Sequence, residues 1–179
     1  TFKGIANPSF LKISEDRNYL YAVSRATPEI EKSGGFVVAY KINENGSLHF
    51  LNKQISNGEA PCHVDVSPKR DFVAIAAYGG GTTSLYPLEE NGALKKASII
   101  IVNKAESVEP GIEIQPHAHS IKFSPFENVI FSADLGTDQL NMYLLENGKM
   151  VNAEQKFVKL PVGAGPRHFE FHPNGKTIY

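Results

Sequence analysis

One cysteine, Cys62, is all that the 179 residues contain. An intrachain disulfide is therefore excluded, and the composition suits a reducing compartment. No apolar run approaches the roughly 20 residues of a membrane span, so no membrane partner is expected. Charge of one sign is also missing: 18 Lys and Arg stand against 19 Asp and Glu, for a net charge of −1. Nucleic-acid binding needs a basic stripe to meet the phosphates, and none is visible. No secretory signal is present. The cytoplasm is the expected location, with export left open because the chain begins at Thr1. Amphipathic helical periodicity of useful length is lacking too. What remains is 41% hydrophobic sequence, enough to bury a sizeable core.

That sequence repeats itself. Asn7-Pro-Ser-Phe-Leu-Lys-Ile-Ser14, Ala60-Pro-Cys-His-Val-Asp-Val-Ser-Pro68, Gln115-Pro-His-Ala-His-Ser-Ile-Lys-Phe-Ser-Pro125 and Gly163-Ala-Gly-Pro-Arg-His-Phe-Glu-Phe-His-Pro173 are four copies of one unit. Each opens on a proline turn, alternates apolar and polar residues, and closes on a Ser or His turn. Ser14, Ser67, Ser124 and His172 are equivalent, at intervals of 53, 57 and 48 residues. A period of this size marks a propeller or solenoid.

Within each repeat the pattern is that of four strands. Residues 1–53 give Phe10–Ile13, Asn18–Ser24, Phe36–Ile42 and Ser47–Lys53, with Asn45-Gly46 as a hairpin signal of the tight primed kind. Residues 54–108 repeat the plan with Val64–Val66, Phe72–Tyr78, Thr82–Leu88 and a strand from Leu94 onward, turning at Asn91-Gly92. Gly79-Gly-Gly81 lacks the Lys-Ser/Thr pair and helix of a phosphate loop, which leaves a flexible turn. Residues 109–159 form a third unit with its own Asn147-Gly148, and 160–179 begin a fourth. The expected fold is all-β: a β-propeller of four-stranded antiparallel blades, about three and a half of them. Residues 103–115 lack periodicity, and their position before a histidine pair suggests a loop over a site. A closed propeller needs more blades than are present, so the remainder is expected from the rest of a longer parent chain.

In a propeller the inner strands line a central channel, so repeat register becomes spatial proximity. Phe10, His63, Ser120 and His168 are equivalent, as are Ser9, Cys62, His119 and Arg167. Val64, Val66, Ile121, Phe123, Phe169 and Phe171 make an apolar face that packs between blades. The opposite face carries His63/Asp65, Ser120/Lys122 and His168/Glu170. Arg167 offers a fixed fork of donors to phosphate or carboxylate, and His168 beside it can exchange protons; the alternative is that both brace the blade through backbone carbonyls and a neighbouring Glu or Asp. His117 and His119 lie two apart, on one side of an extended segment. They suit acid–base or substrate contact, a metal pair, or structural hydrogen bonds; no carboxylate or cysteine set completes a tetrahedral site. His63 joins them across the mouth or serves its strand. His172 fits a turn-stabilising bond, Asp134 and Asp138 a turn around Gly136, and Cys62 has no activating environment beyond His63.

On the motifs Gln115-Pro-His-Ala-His-Ser120, Ala133-Asp-Leu-Gly-Thr-Asp138 and Gly163-Ala-Gly-Pro-Arg-His168, followed by Phe171-His-Pro-Asn-Gly175, the sequence resembles the lactonase family of seven-bladed β-propellers. That family includes propeller-type bacterial 6-phosphogluconolactonases and fungal carboxy-muconate cyclases, and the chain corresponds to about half of a member. The resemblance implies a small sugar lactone as partner. It also implies hydrolysis of 6-phospho-D-glucono-1,5-lactone to 6-phosphogluconate, in the oxidative pentose phosphate pathway, without metal or cofactor. His117, His119, Arg167 and His168 are then the catalytic candidates, with His63, Gln115 and Arg167 on substrate. A muconate-type lactonising enzyme and a non-enzymatic binding scaffold are the alternatives.

Overall fold

A computed structural model of the protein describes residues 4–104 and 114–179. Among them lie twelve strands and no helix, hence no helix long and apolar enough to cross a membrane. The strands form three four-stranded antiparallel sheets, each pairing neighbours along the chain. The first is β1 (Pro8–Ile13), β2 (Tyr19–Arg25), β3 (Gly35–Ile42) and β4 (Leu48–Ile55). The second is β5 (Pro61–Val66), β6 (Phe72–Ala77), β7 (Thr82–Pro87) and β8 (Ile99–Val102). The third is β9 (Ala118–Phe123), β10 (Val129–Asp134), β11 (Gln139–Glu146) and β12 (Lys149–Lys159). Residues beyond Lys159 carry one bridge, Phe171 to Ile178, the opening of a further hairpin.

These are propeller blades packed face to face. The first core joins Tyr21, Val23 and Val37 of one blade to Val64, Ile75 and Tyr86 of the next. The second joins Ala74, Ala76 and Leu85 to Ile121, Phe123 and Ile130. Strand β6 alternates between the two cores and is buried on both faces, which is why Phe72–Ala77 is a continuous apolar run. Each fully buried Val or Ile here contributes about 1.5–3 kcal/mol relative to exposure. Val64, Val66, Ile121, Phe123 and Phe169 are buried, as the repeat register requires, and Phe171 of the same face is half-buried.

Two expectations are corrected. The fourth strand of the second blade starts at Ile99, not Leu94. Leu94 is instead a 2%-exposed plug of the first core, with its backbone held by the side chains of Asn52 and Gln54 from β4. The Asn-Gly turns also differ among themselves. Asn147 and Gly148 both have positive φ, at 49° and 75°, as a two-residue primed turn demands. At the other two turns only Gly46 and Gly92 do, and Asn45 and Asn91 instead accept the N–H two residues on through their side chains.

The inner strands β1, β5 and β9 are sheet edges, and an edge strand must satisfy its free N–H and C=O groups. Side chains of the neighbouring blade do so. His63 Nδ1 accepts the Ile121 N–H at 3.4 Å and Asp65 Oδ2 the Phe123 N–H at 2.9 Å. Ser9 donates to the Pro61 carbonyl at 2.6 Å, and the Cys62 thiol to the His119 carbonyl at 3.2 Å. The turns that end the inner strands use one device: Ser67 accepts the Asp71 and Phe72 N–H groups, Ser124 those of Phe126 and Glu127, and His172 Nδ1 that of Asn174.

Candidate active site

Each inner strand opens on a β-bulge, at Ser9, Cys62 and His119. A bulge locally breaks the alternation and re-aims a side chain. His117 lies just before β9, and His119 is the bulged residue, so the two do not share a plain extended segment. Both nevertheless reach one ring. Tyr78 stacks on His117 with centroids 4.3 Å apart and planes at 10°, and meets His119 edge-on at 5.8 Å. His119 lies 5.1 Å from His168, His168 lies 5.7 Å from His63, and His63 stacks on Phe10 at 4.2 Å. Five residues from three blades and one from the fourth repeat thus form a continuous aromatic and imidazole cluster.

Hydrogen bonding and burial constrain three of these rings. Nδ1 of His117 lies 3.0 Å from the Tyr78 carbonyl oxygen. A carbonyl can only accept, so Nδ1 carries the proton, and in the neutral ring Nε2 presents the lone pair. Burial, followed by the nearby His168, Lys122 and Lys12, pushes His63 down to about 3. Burial first, then Arg167 and His168, hold His119 below the ordinary histidine value. Both are therefore neutral at physiological pH. Burial pushes the Cys62 thiol up to about 11, which keeps it a thiol donor and not a nucleophile.

Arg167 is exposed and makes no ion pair among the described residues, so its guanidinium is available to an anion. One layer along the channel, two residues further on each inner strand, Lys12 pairs with Asp65 at 3.0 Å and Lys122 with Glu170. The charge alternates from blade to blade. With Phe10, His63 and His168 these residues line a cavity of about 500 Å³. Among the described residues no group of three or more His, Cys, Asp or Glu is arranged to hold a metal ion.

Two loops bring these groups together, and one turn touches both. Asp134 is fully buried and accepts the His117 N–H at 2.8 Å, the Thr137 N–H at 3.1 Å and the Asn103 side-chain amide at 2.6 Å. Asp138 accepts the Gly163 and Gly165 N–H groups, both at 2.8 Å. Gly163 and Gly165 have φ of +78° and +54°, the left-handed region that favours glycine. The two glycines of the Gly-Ala-Gly-Pro-Arg-His motif thereby aim two N–H groups at one carboxylate. Gly136 packs so closely that a Cβ there would sit 1.9 Å from the Gln115 carbonyl oxygen.

Among the residues singled out from sequence, His117, His119, His168 and His63 come together. Gln115 lies exposed at the rim with its carbonyl against Gly136. Residues 105–113 of the expected covering loop lie outside the described residues. Sequence reasoning missed Tyr78. Its signal was register: the N–H groups of Arg25, Tyr78 and Leu135 donate to the carbonyls of Asn7, Ala60 and His117, so these three share one place at the mouth, at or just past the end of each second strand.

The lactonase, 7-bladed β-propeller family model matches residues 1–179. The chain is 34% identical over 176 residues to a 6-phosphogluconolactonase of Bacillus subtilis, covering 98% of this chain and 48% of that protein. It is 32% identical over 179 residues to a 6-phosphogluconolactonase of Formosa agariphila, covering 98% and 50%. A solved Bacteroides fragilis structure, described as a candidate 6-phosphogluconolactonase, superposes with a TM-score of 0.88 at 29% identity, over 100% of this chain and 51% of that one. The chain thus spans about half the length of the curated relatives it matches. With three four-stranded blades and a match over its whole length, this chain belongs to the lactonase family of seven-bladed β-propellers.

Proposed function

We propose that the protein containing this chain hydrolyses 6-phospho-D-glucono-1,5-lactone to 6-phosphogluconate, the lactonase step of the oxidative pentose phosphate pathway. Residues 1–53, 54–108 and 109–159 would be three blades and 160–179 the start of a fourth, with the remaining blades supplied by the rest of the parent chain. The observation that carries the reading is the meeting of Arg167, which makes no ion pair among the described residues, with the neutral His119 at the channel mouth. The names of the Bacillus and Formosa relatives support it.

Water adds to the lactone carbonyl carbon, and its proton passes to a base. His117 suits that role, because the Tyr78 carbonyl fixes its Nδ1–H and leaves Nε2 as acceptor. The tetrahedral intermediate then expels the ring oxygen, which takes the proton back as the new hydroxyl. Arg167 binds the phosphate or the developing oxyanion, with His168 and His119 as neighbouring ring donors. A lactone is already a reactive ester, so orientation and one proton acceptor supply most of what the step requires. Gln115 and His63 complete the proposed substrate contacts.

The test is loss of freshly generated 6-phosphogluconolactone by the intact seven-bladed protein, measured above spontaneous hydrolysis. Phosphate-free gluconolactone and a muconolactone run beside it. Acceleration of the phosphorylated lactone supports the reading. A folded protein that accelerates none of the three overturns it.

A further inference from the structure

The turn Asp134-Leu-Gly-Thr-Asp138 sits between the two loops of the site and is bonded to both. On one side Asp134 takes the His117 N–H at 2.8 Å, and the Leu135 N–H returns to the His117 carbonyl at 3.0 Å. On the other, the Asp138 carboxylate spans the Gly163 and Gly165 N–H groups at 2.8 Å each, and the Leu160 N–H donates to the Asp138 carbonyl at 2.9 Å. Asp138 itself sits at φ +50°, a conformation aspartate tolerates better than most side chains. Two N–H groups two residues apart converge on one carboxylate, each on its own oxygen. A carboxylate has one oxygen for each donor.

From this geometry we propose that Asp138 is the positioning residue that holds the Gly163–His168 loop, and with it Arg167, against His119. The proposal rests on the lactonase reading for its catalytic consequence, but the placement is independent of any reaction. Asp138 touches no reacting atom and acts through Arg167 and His168. The Ala-Asp-Leu-Gly-Thr-Asp motif is thus a clamp between the His117/His119 loop and the Arg167/His168 loop. It also accounts for the glycines: only residues at ease at positive φ present both N–H groups to one carboxylate.

The experiment uses Asp138→Ala and Asp138→Asn in the intact seven-bladed protein. Asparagine keeps one acceptor oxygen and alanine keeps none. Two readouts are taken, kcat for the phosphorylated lactone and the NMR titration of His119, whose protonation is suppressed first by burial and then by the nearness of Arg167 and His168. The expected result is a kcat about 10- to 100-fold lower in Asp138→Ala, the scale of a small misplacement of a positioning group, with a smaller loss in Asp138→Asn. The His119 titration moves up toward the ordinary histidine range in Asp138→Ala. In an Arg167→Ala background the Asp138→Ala change adds little further loss, because both remove one contribution. Where the parent turns over no lactone, the lactonase reading fails and the His119 titration alone decides the clamp. Should Asp138→Ala not fold, Asp138→Asn carries the same two readouts. A His119 titration unchanged in a folded variant overturns the proposal, whatever happens to kcat.

Discussion

The Tyr78 carbonyl oxygen and Nδ1 of His117 are 3.0 Å apart, and the two rings lie nearly parallel at 4.3 Å. Tyr78 directly follows the second strand of one blade, and His117 directly precedes the first strand of the next. A base needs both a fixed tautomer and a fixed ring plane, and this one residue supplies both across a blade boundary. Its carbonyl selects the Nδ1–H form, and its ring limits rotation about the His117 side-chain bonds.

The first prediction follows from that division of labour. Tyr78→Phe keeps the ring and the backbone carbonyl, so kcat should stay within about twofold. Tyr78→Ala removes a stacked pair of about 0.5–1.5 kcal/mol, freeing His117 to rotate, and kcat should drop roughly tenfold. Nitrogen chemical shifts of His117 should show the Nδ1–H tautomer in the parent and a mixture in Tyr78→Ala. A parent protein with the Nε2–H tautomer would remove His117 as the base.

A second prediction concerns acid stability. An unfolded His63 takes up a proton near its ordinary value of 6.5, whereas the folded residue resists until about 3. The unfolded state therefore binds more protons in that window. The stability this group contributes is complete above about pH 6.5 and is lost as pH falls toward 3, at up to ~1.4 kcal/mol per pH unit. His119, lowered by burial and by Arg167 and His168, acts in the same direction. Asp65, raised chiefly by burial, opposes both. His63→Gln offers an amide oxygen to the Ile121 N–H without a titrating ring. Urea unfolding at pH 7 and pH 5 should show a smaller loss in His63→Gln than in the parent. Equal losses would mean that the folded His63 protonates freely.

Much of this was legible in the sequence because a repeat converts one-dimensional register into three-dimensional proximity. Once His63 and His168 are aligned, closure of the inner strands round a channel brings them together without further information. The strand faces were legible for the same reason: Val64 and Ile121 are fully buried. What stayed hidden depends on contacts between blades. Leu94 looks like a strand residue, but Asn52 and Gln54 of the preceding blade capture its backbone. The bulges at Ser9, Cys62 and His119 leave no residue-type signature, since three different side chains occupy them. Tyr78 belongs to the site through its carbonyl, a group that every residue has. Asp138 was visible as a turn residue, whereas its acceptors' partners lie 25 and 27 residues away.

The third prediction separates Cys62 from the chemistry. The thiol is buried, raised to about 11, and spent on the His119 and Ala118 carbonyls. It should resist iodoacetamide at pH 8 in the folded protein and react within minutes once unfolded in urea. Cys62→Ser keeps a donor of similar size, so turnover should fall less than twofold. Rapid alkylation of the native protein with loss of activity would assign Cys62 a role that its surroundings do not support.

The last prediction bears on Arg167. It is exposed and pairs with no carboxylate among the described residues, so its removal leaves no buried charge unpaired and little packing undone. Arg167→Ala should move the unfolding free energy by less than about 0.5 kcal/mol, the range of surface substitutions. Turnover of the phosphorylated lactone should fall about 100-fold or more, the scale of losing one donor to a developing oxyanion. Which parameter moves tells the two arginine roles apart. A phosphate contact made equally in ground and transition states raises KM with kcat unchanged, whereas an oxyanion contact lowers kcat and kcat/KM together. Arg167→Lys sharpens the distinction, because an ammonium keeps the charge and loses the two-pronged fork. Substantial rescue by lysine points to charge attraction for the phosphate, and failure of lysine to rescue points to directed donors at the oxyanion. Full turnover in a folded Arg167→Ala protein would place the anion-binding group elsewhere and take with it the reason for the Asp138 clamp's effect on catalysis, leaving only its effect on His119.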